Sequence, residues 1–137
     1  MKSQLASLEI HYLVEELQQL ANAKIDSIYH PEKEDLYIVI YVPGKGKKVL
    51  RYFLGSFLYL TSKKAPSTAV SEFCSTLRRQ LKNGNIKSIK QVESERIVEI
   101  AIDDKKLMIE LFAKGNVILI NNKNEILTAL HFRKYKD

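Results

Sequence analysis

Residues 35–54 read DLYIVIYVPGKGKKVLRYFL, and this stretch decides the predicted fold. Its first part, Asp35–Val42, is so apolar that we expect a strand with both faces partly covered. The loop Pro43-Gly44-Lys45-Gly46 ends that strand, because proline cannot continue a strand ladder and the glycines permit positive φ. Lys47–Leu54 then returns as the antiparallel partner, which predicts a core built from hairpins.

Outward from this hairpin, the hydrophobic pattern alternates between helical and strand periods. Apolar residues recur at spacings of three and four from Ser7 to Leu20 and again from Thr68 to Leu81, so each segment predicts a helix, the second stopping at Asn83-Gly84. Two groups of about four strands, each preceded by a helix, predict an α+β fold: a two-sheet antiparallel β-sandwich with two flanking helices. Besides a turn at Pro31–Glu34, the remaining predicted elements are strands at Lys24–His30, Phe57–Thr61, Ile86–Glu93, Arg96–Ile102, Lys106–Phe112, Val117–Asn121 and Ile126–His131.

Length and charge limit the class of protein. The 137 residues predict one domain with a single core. The net charge of +6 fits a polyanionic partner such as RNA, DNA or an anionic membrane surface, although a lysine-rich proteome explains it equally well. Glu9 and His11 interrupt the apolar stretch that a signal peptide needs, and the longest apolar run, Leu36–Val42, is too short to cross a bilayer. We therefore expect a soluble, cytoplasmic protein without a membrane-spanning segment, and no membrane is among its expected partners.

The residues that usually carry catalysis are sparse. His11, His30 and His131 are scattered, without the spacing of a helical metal site. Cys74 is the only cysteine, which excludes an intramolecular disulfide, and it falls on the apolar side of its predicted helix. The sequence therefore predicts no enzyme, no metal, no cofactor and no small-molecule substrate.

Two basic clusters remain as candidates for binding. Lys45, Lys47 and Lys48 lie in a loop that joins two strands, so a solvated hairpin tip is favoured over a phosphate-binding loop, which opens a helix. A non-specific contact with a nucleic-acid backbone is a further interpretation of the same lysines. Arg78, at the flank of the second helix, lies near Arg79 and Lys82 on the side away from its apolar face, where basic residues also serve solubility.

Several blocks, in order along almost the whole chain, resemble the N-terminal domain of the NFACT family in its archaeal form. This family includes NEMF, Caliban and bacterial proteins once named as fibronectin-binding protein A-like. The resemblance rests on Ala23–Tyr29 with Pro31, Val42–Lys48, Phe73-Cys74 with Leu77-Arg78-Arg79 and Leu81, Arg96–Ile100, and Glu110–Leu119.

The resemblance implies a fold related to the N-terminal β-sandwich of formamidopyrimidine-type DNA glycosylases. It also implies a role on large ribosomal subunits obstructed by peptidyl-tRNA, where members recruit tRNA and support C-terminal tailing of the stalled chain. The family's Asp-Arg pair, needed for tailing, falls on Glu95-Arg96. Glycosylase activity is not implied, since Lys2 and Ser3 replace the catalytic proline and glutamate of those enzymes.

The implied partners are tRNA and the RNA of the large ribosomal subunit, with ribosomal proteins as further partners. The alternative is a protein-interaction domain that docks on ribosomal or quality-control partners without touching RNA. Whole family members are several times longer, so we expect residues 1–137 to be an NFACT N-terminal-like domain, either a fragment of a multidomain protein or a stand-alone copy. The predicted nucleic-acid-binding residues are Glu95, Arg96, Arg78, Arg79, Lys82, Lys45, Lys47, Lys48 and Lys114.

Overall fold

The computed structural model describes residues 7–54, 56–63, 71–92 and 95–131. Helix α1 is Ser7–Leu17, continued by a 3₁₀ turn at Gln18–Leu20, and helix α2 is Glu72–Leu81. The strands are β1 Lys24–Glu32, β2 Asp35–Val42, β3 Gly46–Phe53, β4 Phe57–Thr61, β5 Ile86–Gln91, β6 Ile97–Ile102, β7 Lys105–Glu110, β8 Asn116–Ile120 and β9 Ile126–Ala129.

The strands form two antiparallel sheets in which each strand pairs with its neighbour in the chain. Sheet A has the order β1-β2-β3-β4 and sheet B the order β5-β6-β7-β8-β9. Buried residues of both sheets and both helices form one hydrophobic core cluster. The predicted two-sheet α+β fold is therefore confirmed, and the five strands predicted after the second helix all belong to sheet B.

The sheets meet at their first strands. Lys24 and Asn85 form an isolated antiparallel bridge, and the N–H of Ile86 donates to the carbonyl of Ala23 at 2.8 Å. Farther along, the buried Tyr52 hydroxyl of β3 donates to the carbonyl of Glu110 at the end of β7. Backbone bonding therefore holds the corner of the sandwich, and a side-chain bond links the sheets deeper in the core.

The ends of α2 differ from the prediction in detail. Ser71 has extended backbone angles and its hydroxyl accepts from the N–H of Cys74 at 3.0 Å, so the helix begins at Glu72 and not near Thr68. Residues 68–70 of the predicted helix lie outside the described residues. At the other end, Asn83 adopts the left-handed conformation with φ of 66°.

Gly84 is needed for space and not for its conformational freedom. A Cβ at this position would lie 2.7 Å from Cγ2 of Ile102 and 2.9 Å from the carbonyl oxygen of Leu81. Closely packed side chains and backbone cannot absorb such an approach without moving. The predicted helix stop at Asn83-Gly84 therefore has two requirements. Asn83 must adopt the left-handed conformation, and position 84 must have no side chain.

Strand β2 has two covered faces, as its composition predicts, but they are covered differently. Val39 packs with Val49 in a small second cluster on the outer side of sheet A, where Tyr29 and Tyr37 cover them. The inward residues of β2 join the main core: Leu36, Ile38, Ile40 and Val42.

Pro31 lies inside β1 and not in the predicted turn. It lies at a register shift on the edge strand, where a missing N–H is tolerated.

Candidate nucleic-acid interface

The predicted lysines of the β2–β3 hairpin lie at one end of sheet A. Lys45 is exposed in the turn, where its N–H donates to the carbonyl of Val42 at 2.9 Å. The Lys47 ammonium lies 3.5 Å from the carboxylate of Asp26 on β1. The Lys48 ammonium donates to the Ser62 hydroxyl at 3.3 Å. The hairpin therefore presents three cations. Lys47 already contacts Asp26 of β1, and Lys48 already contacts Ser62, the residue after β4.

Helix α2 brings a second group of predicted cations to the edge of sheet A. The guanidinium Nε of Arg78 donates to the carbonyl of Ile28 at 2.7 Å, and its Cζ lies 5.0 Å from the centre of the Tyr29 ring. Arg78 therefore docks the helix on β1, and the residue as a whole is partly exposed. Arg79 and Lys82 are exposed at the end of the same helix.

Glu95 and Arg96 form the well-anchored entry to β6. The N–H of Glu95 donates to the carbonyl of Val92 at 2.9 Å, and the carbonyl of Arg96 accepts from the N–H of Leu111 at 2.8 Å. The Arg96 guanidinium carbon lies 5.8 Å from the centre of the Phe112 ring, a cation–π distance. The Glu95 side chain is exposed. The backbone of this pair is thus fixed, and Phe112 supports the arginine.

Lys114 belongs to the same end of sheet B as Arg96. It follows Phe112 in the turn between β7 and β8, in which Ala113 and Gly115 both have positive φ, of 53° and 76°. An open cavity of about 690 Å³ adjoins it, where the β1–β2 turn of sheet A approaches the end of β9. The cavity is lined by Lys33, Glu34, Leu54, Lys114 and His131.

The structure therefore divides the nine predicted residues into two groups. The hairpin lysines and the α2 cations lie beside sheet A, joined through contacts with β1. Glu95, Arg96 and Lys114 lie at one end of sheet B, where Phe112 links the arginine to the β7–β8 turn.

Sequence reasoning missed a network on the outer face of sheet A. Arg51 of β3 stands between Tyr37 of β2 and Tyr59 of β4 in the strand register, with its guanidinium carbon 5.2 Å and 5.9 Å from the two ring centres. Arg51 donates to both carboxylate oxygens of Asp35, at 2.9 Å and 3.1 Å. A third donation reaches the Tyr59 hydroxyl at 2.8 Å, while the Tyr37 hydroxyl donates to Asp35 at 3.0 Å.

The hydrogen bonds of this network favour the charged form of Arg51 beside Asp35. Hydrogen bonds to Asp35 and to the Tyr59 hydroxyl raise the pKa of Arg51 above its usual range. Burial, followed by the hydrogen bond to Asp35, raises the pKa of Tyr37. Both effects keep Arg51 charged and Tyr37 neutral at physiological pH.

A pattern in the sequence does mark this network. Asp35, Tyr37 and Tyr41 share one face of β2 with Val39, while the intervening residues Leu36, Ile38 and Ile40 belong to the main core. Alternating side chains of a strand point to opposite faces. A polar-aromatic set at period two within an apolar run therefore marks the outer face of β2, although only the register places Arg51 and Tyr59 beside it.

Three further findings concern a metal site, a membrane span and a cysteine nucleophile. Within residues 7–54, 56–63, 71–92 and 95–131, no three His, Cys, Asp or Glu side chains come together as a metal site. None of the helices in those parts of the chain is long and apolar enough to span a membrane. Cys74 is buried, and burial raises the pKa of its thiol, which disfavours the thiolate a nucleophile needs.

Two known proteins are similar to this chain in sequence. The chain is 30% identical over 98% of its length to the archaeal Rqc2 homolog aRqcH of Methanocaldococcus jannaschii, of which it spans 22%. It is 29% identical over 93% of its length to ribosome quality control complex subunit 2 of Saccharomyces cerevisiae, of which it spans 13%. The chain thus covers about a fifth or less of the length of these relatives.

Solved structures show the same fold. The N-terminal domain of fibronectin-binding protein PavA from Streptococcus pneumoniae superposes with a TM-score of 0.85 at 27% identity, covering 95% of this chain and 57% of that one. The N-terminal part of a fibronectin/fibrinogen-binding protein from Streptococcus suis has a TM-score of 0.86 at 21% identity, covering 95% of this chain and 54% of that one. The relationship to formamidopyrimidine-type glycosylases stays a prediction.

The family model described as NFACT N-terminal and middle domains matches residues 7–136, which include every described strand and helix. The chain belongs to the NFACT family.

Proposed function

We propose that this chain is the domain of a ribosome quality control factor that binds tRNA and rRNA on large ribosomal subunits obstructed by peptidyl-tRNA. In this role it supports tRNA recruitment and C-terminal tailing of stalled chains, in the cytoplasm and by binding without turnover. The observation that carries the proposal is the match to the NFACT family over residues 7–136, with relatives named as ribosome quality control subunits.

The geometry of Arg96 supports an RNA contact. Its backbone carbonyl is bonded to Leu111, and Phe112 lies beside its guanidinium, so the side chain is held and not freely rotating. A guanidinium binds phosphate bidentately or stacks on an exposed base. The exposed Glu95 carboxylate next to it is able to accept from a base edge or to orient the arginine.

The experiment is binding of fluorescently labelled tRNA to the chain, measured by anisotropy over a salt series. Affinity should fall with rising salt, because phosphate contacts release counterions. Arg96→Ala should weaken binding by roughly 10-fold or more, the cost of a lost charge-assisted contact. Arg96→Lys should recover only part of that loss, since lysine keeps the charge without the planar fork.

Lys123→Ala is the matched control, because Lys123 is exposed in the β8–β9 turn, outside both groups of predicted residues, and the substitution removes the same unit charge. We expect its affinity to stay within about twofold of the parent. An equal loss of tRNA affinity in Arg96→Ala and Lys123→Ala would show that binding depends on net charge and not on the position of Arg96. Absence of tRNA and rRNA binding even at low salt would refute the proposal.

A docking domain for a protein partner is the second candidate, and the outer face of sheet B favours it. An open, mostly apolar cavity of about 280 Å³ lies there. Its lining consists of Ile97, Met108, Glu110, Ile118, Ile120 and Ile126. Exposed apolar surface of this kind marks interaction sites. Crosslinks from purified large subunits that map to ribosomal protein, with none to RNA, would support this candidate over the first.

A further inference from the structure

The outer face of sheet A carries several exposed aromatic side chains. We define the tyrosine face as the aromatic side chains at its outward positions: Tyr29, Tyr37, Tyr41, Phe53, Phe57 and Tyr59. Tyr41 is 48% exposed and Tyr59 is 39% exposed. The solvent side of an antiparallel sheet is normally polar, so a contiguous aromatic patch indicates a contact with another molecule.

A recess of about 300 Å³ opens within the tyrosine face, next to the β2–β3 hairpin. Its lining residues are Asp26, Ser27, Tyr29, Val39, Lys47, Val49 and Ser62. Val39 and Val49 are buried and supply apolar surface, and Tyr29 supplies an aromatic ring. The other four residues supply a carboxylate, two hydroxyls and an ammonium group. Apolar surface with a few convergent polar groups is the composition of small-ligand sites.

Arg51 holds two rings of the tyrosine face, those of Tyr37 and Tyr59. It is bonded to both oxygens of Asp35 and to the Tyr59 hydroxyl, and it lies against the Tyr37 ring. The Tyr37 hydroxyl is tied to the same carboxylate. Because these two rings are held before any ligand arrives, stacking a base on Tyr59 costs less side-chain entropy.

The charges around the face fit an anionic partner. Lys45 and Lys47 lie at the hairpin end of the face, whereas Lys48 is opposite the inward residue Ile40. The Arg78 guanidinium lies over Tyr29 at the α2 edge. The carboxylates of Asp26 and Asp35 each face a cation, Lys47 at 3.5 Å and Arg51 at 2.9 Å. Flat aromatic rings rimmed by cations match a nucleic-acid strand whose bases stack and whose phosphates reach the rim.

We infer that the recess and the tyrosine face around it bind unpaired bases of RNA, an inference that rests on the RNA-binding role proposed above. One base enters the recess beside Tyr29, where Asp26, Ser27 and Ser62 meet its polar edge. Neighbouring bases stack on Tyr41 and Tyr59, and Lys45 and Lys47 contact the phosphates. The face selects single-stranded over double-stranded RNA, because bases inside a duplex have no free faces.

The test compares a short single-stranded RNA with a duplex of the same sequence, each binding the 137-residue chain in an anisotropy assay. The parent should prefer the single strand. Tyr59→Ala should weaken single-strand binding by about 5- to 150-fold, the range for one lost stacking contact, and by a similar factor at low and high salt. Lys47→Ala should instead reduce the salt dependence.

Two matched controls separate the tyrosine face from general effects. Tyr12→Ala removes a tyrosine that is 61% exposed on α1, and it should bind like the parent. Ser62→Glu places a carboxylate at the recess and should weaken binding, whereas Ser88→Glu changes net charge equally at an exposed position of β5 and should have little effect. Because the chain has seven tyrosines and no tryptophan, quenching of tyrosine emission by bound RNA gives an independent readout of stacking.

The possible results distinguish this inference from the proposed function. If Tyr59→Ala and Ser62→Glu bind single-stranded RNA like the parent while Arg96→Ala loses tRNA binding, the tyrosine face is not the site and the proposed function stands. If the parent binds no RNA, both are overturned. Crosslinks from the tyrosine face to a ribosomal protein, and none to RNA, would replace the inference with a protein partner.

Discussion

The ion pair between Asp35 and Arg51 provides the sharpest stability prediction, with Arg51→Met as the perturbation. This substitution keeps an apolar stem that still packs between Tyr37 and Tyr59, but it removes the guanidinium. Two hydrogen bonds to Asp35 and one to Tyr59 are lost together. The Asp35 carboxylate then keeps its hydrogen bond from Tyr37 but loses its cation.

Exposure sets the expected magnitude. Breaking a fully buried pair costs about 3 to 5 kcal/mol, because one charge stays unpaired, whereas an exposed pair contributes at most about 1 kcal/mol. The Asp35 side chain is 11% exposed and the Arg51 side chain is 31% exposed, so water can solvate the remaining carboxylate only in part. We therefore expect Arg51→Met to lower the free energy of unfolding by about 2 to 3 kcal/mol.

Urea unfolding followed by tyrosine fluorescence measures this loss, with an unchanged m-value as the check on two-state behaviour. Lys90→Met is the matched control, because Lys90 is 62% exposed and Lys106 also approaches its partner Glu99, at 3.9 Å. We expect the control to lose less than about 0.5 kcal/mol.

Adding Asp35→Asn to Arg51→Met should restore part of the stability, since an amide needs no counter-ion. The reasoning is refuted if Arg51→Met differs from the parent by less than about 0.5 kcal/mol, or if the second substitution restores nothing.

Three further predictions concern packing, pH and the acidic member of the Glu95-Arg96 pair. Gly84→Ala should lower the free energy of unfolding by about 1 to 3 kcal/mol, because its Cβ would lie 2.7 Å from Ile102; an unchanged urea midpoint would contradict this close approach. Burial raises the pKa of Cys74 above its ordinary 9.0 and that of Tyr37 above 10.0, so the unfolded chain loses these protons first. The contribution of these groups to the free energy of unfolding should therefore be fully present below about pH 9 and should fall as pH rises further. In a pH series of urea midpoints, Cys74→Ala should make the first part of that fall less steep. Glu95→Asp restores the acid that the NFACT resemblance implies; it should leave the unfolding free energy within about 0.5 kcal/mol, because Glu95 is exposed, and strengthen tRNA binding, whereas unchanged affinity would count against the pair as a contact.

Local pattern was sufficient for most of the element boundaries. Asp35–Val42 and Phe57–Thr61 are strands with the predicted ends, and the β2–β3 hairpin turns at its glycines, whose φ values are 80° and 84°. These features follow from hydrophobic period and from backbone freedom, which act over a few residues. The start of α2 was missed because apolar spacing does not show where a cap interrupts the backbone, and here Ser71 does so.

The sequence by itself thus determined the strands, the helices, the basic hairpin and the family, each of which depends on residues close together in the chain or on ordered resemblance. Only the tertiary structure decided which side chains meet. The row of Tyr29, Tyr37, Arg51 and Tyr59 exists because four strands pair in one register, and a shift of one residue would turn each side chain to the other face. Arg96 reaches Phe112 for a similar reason, since β6 and β7 pair so that residues 16 positions apart become neighbours. Register is a long-range property, fixed by burial of the common core, and no local pattern contains it.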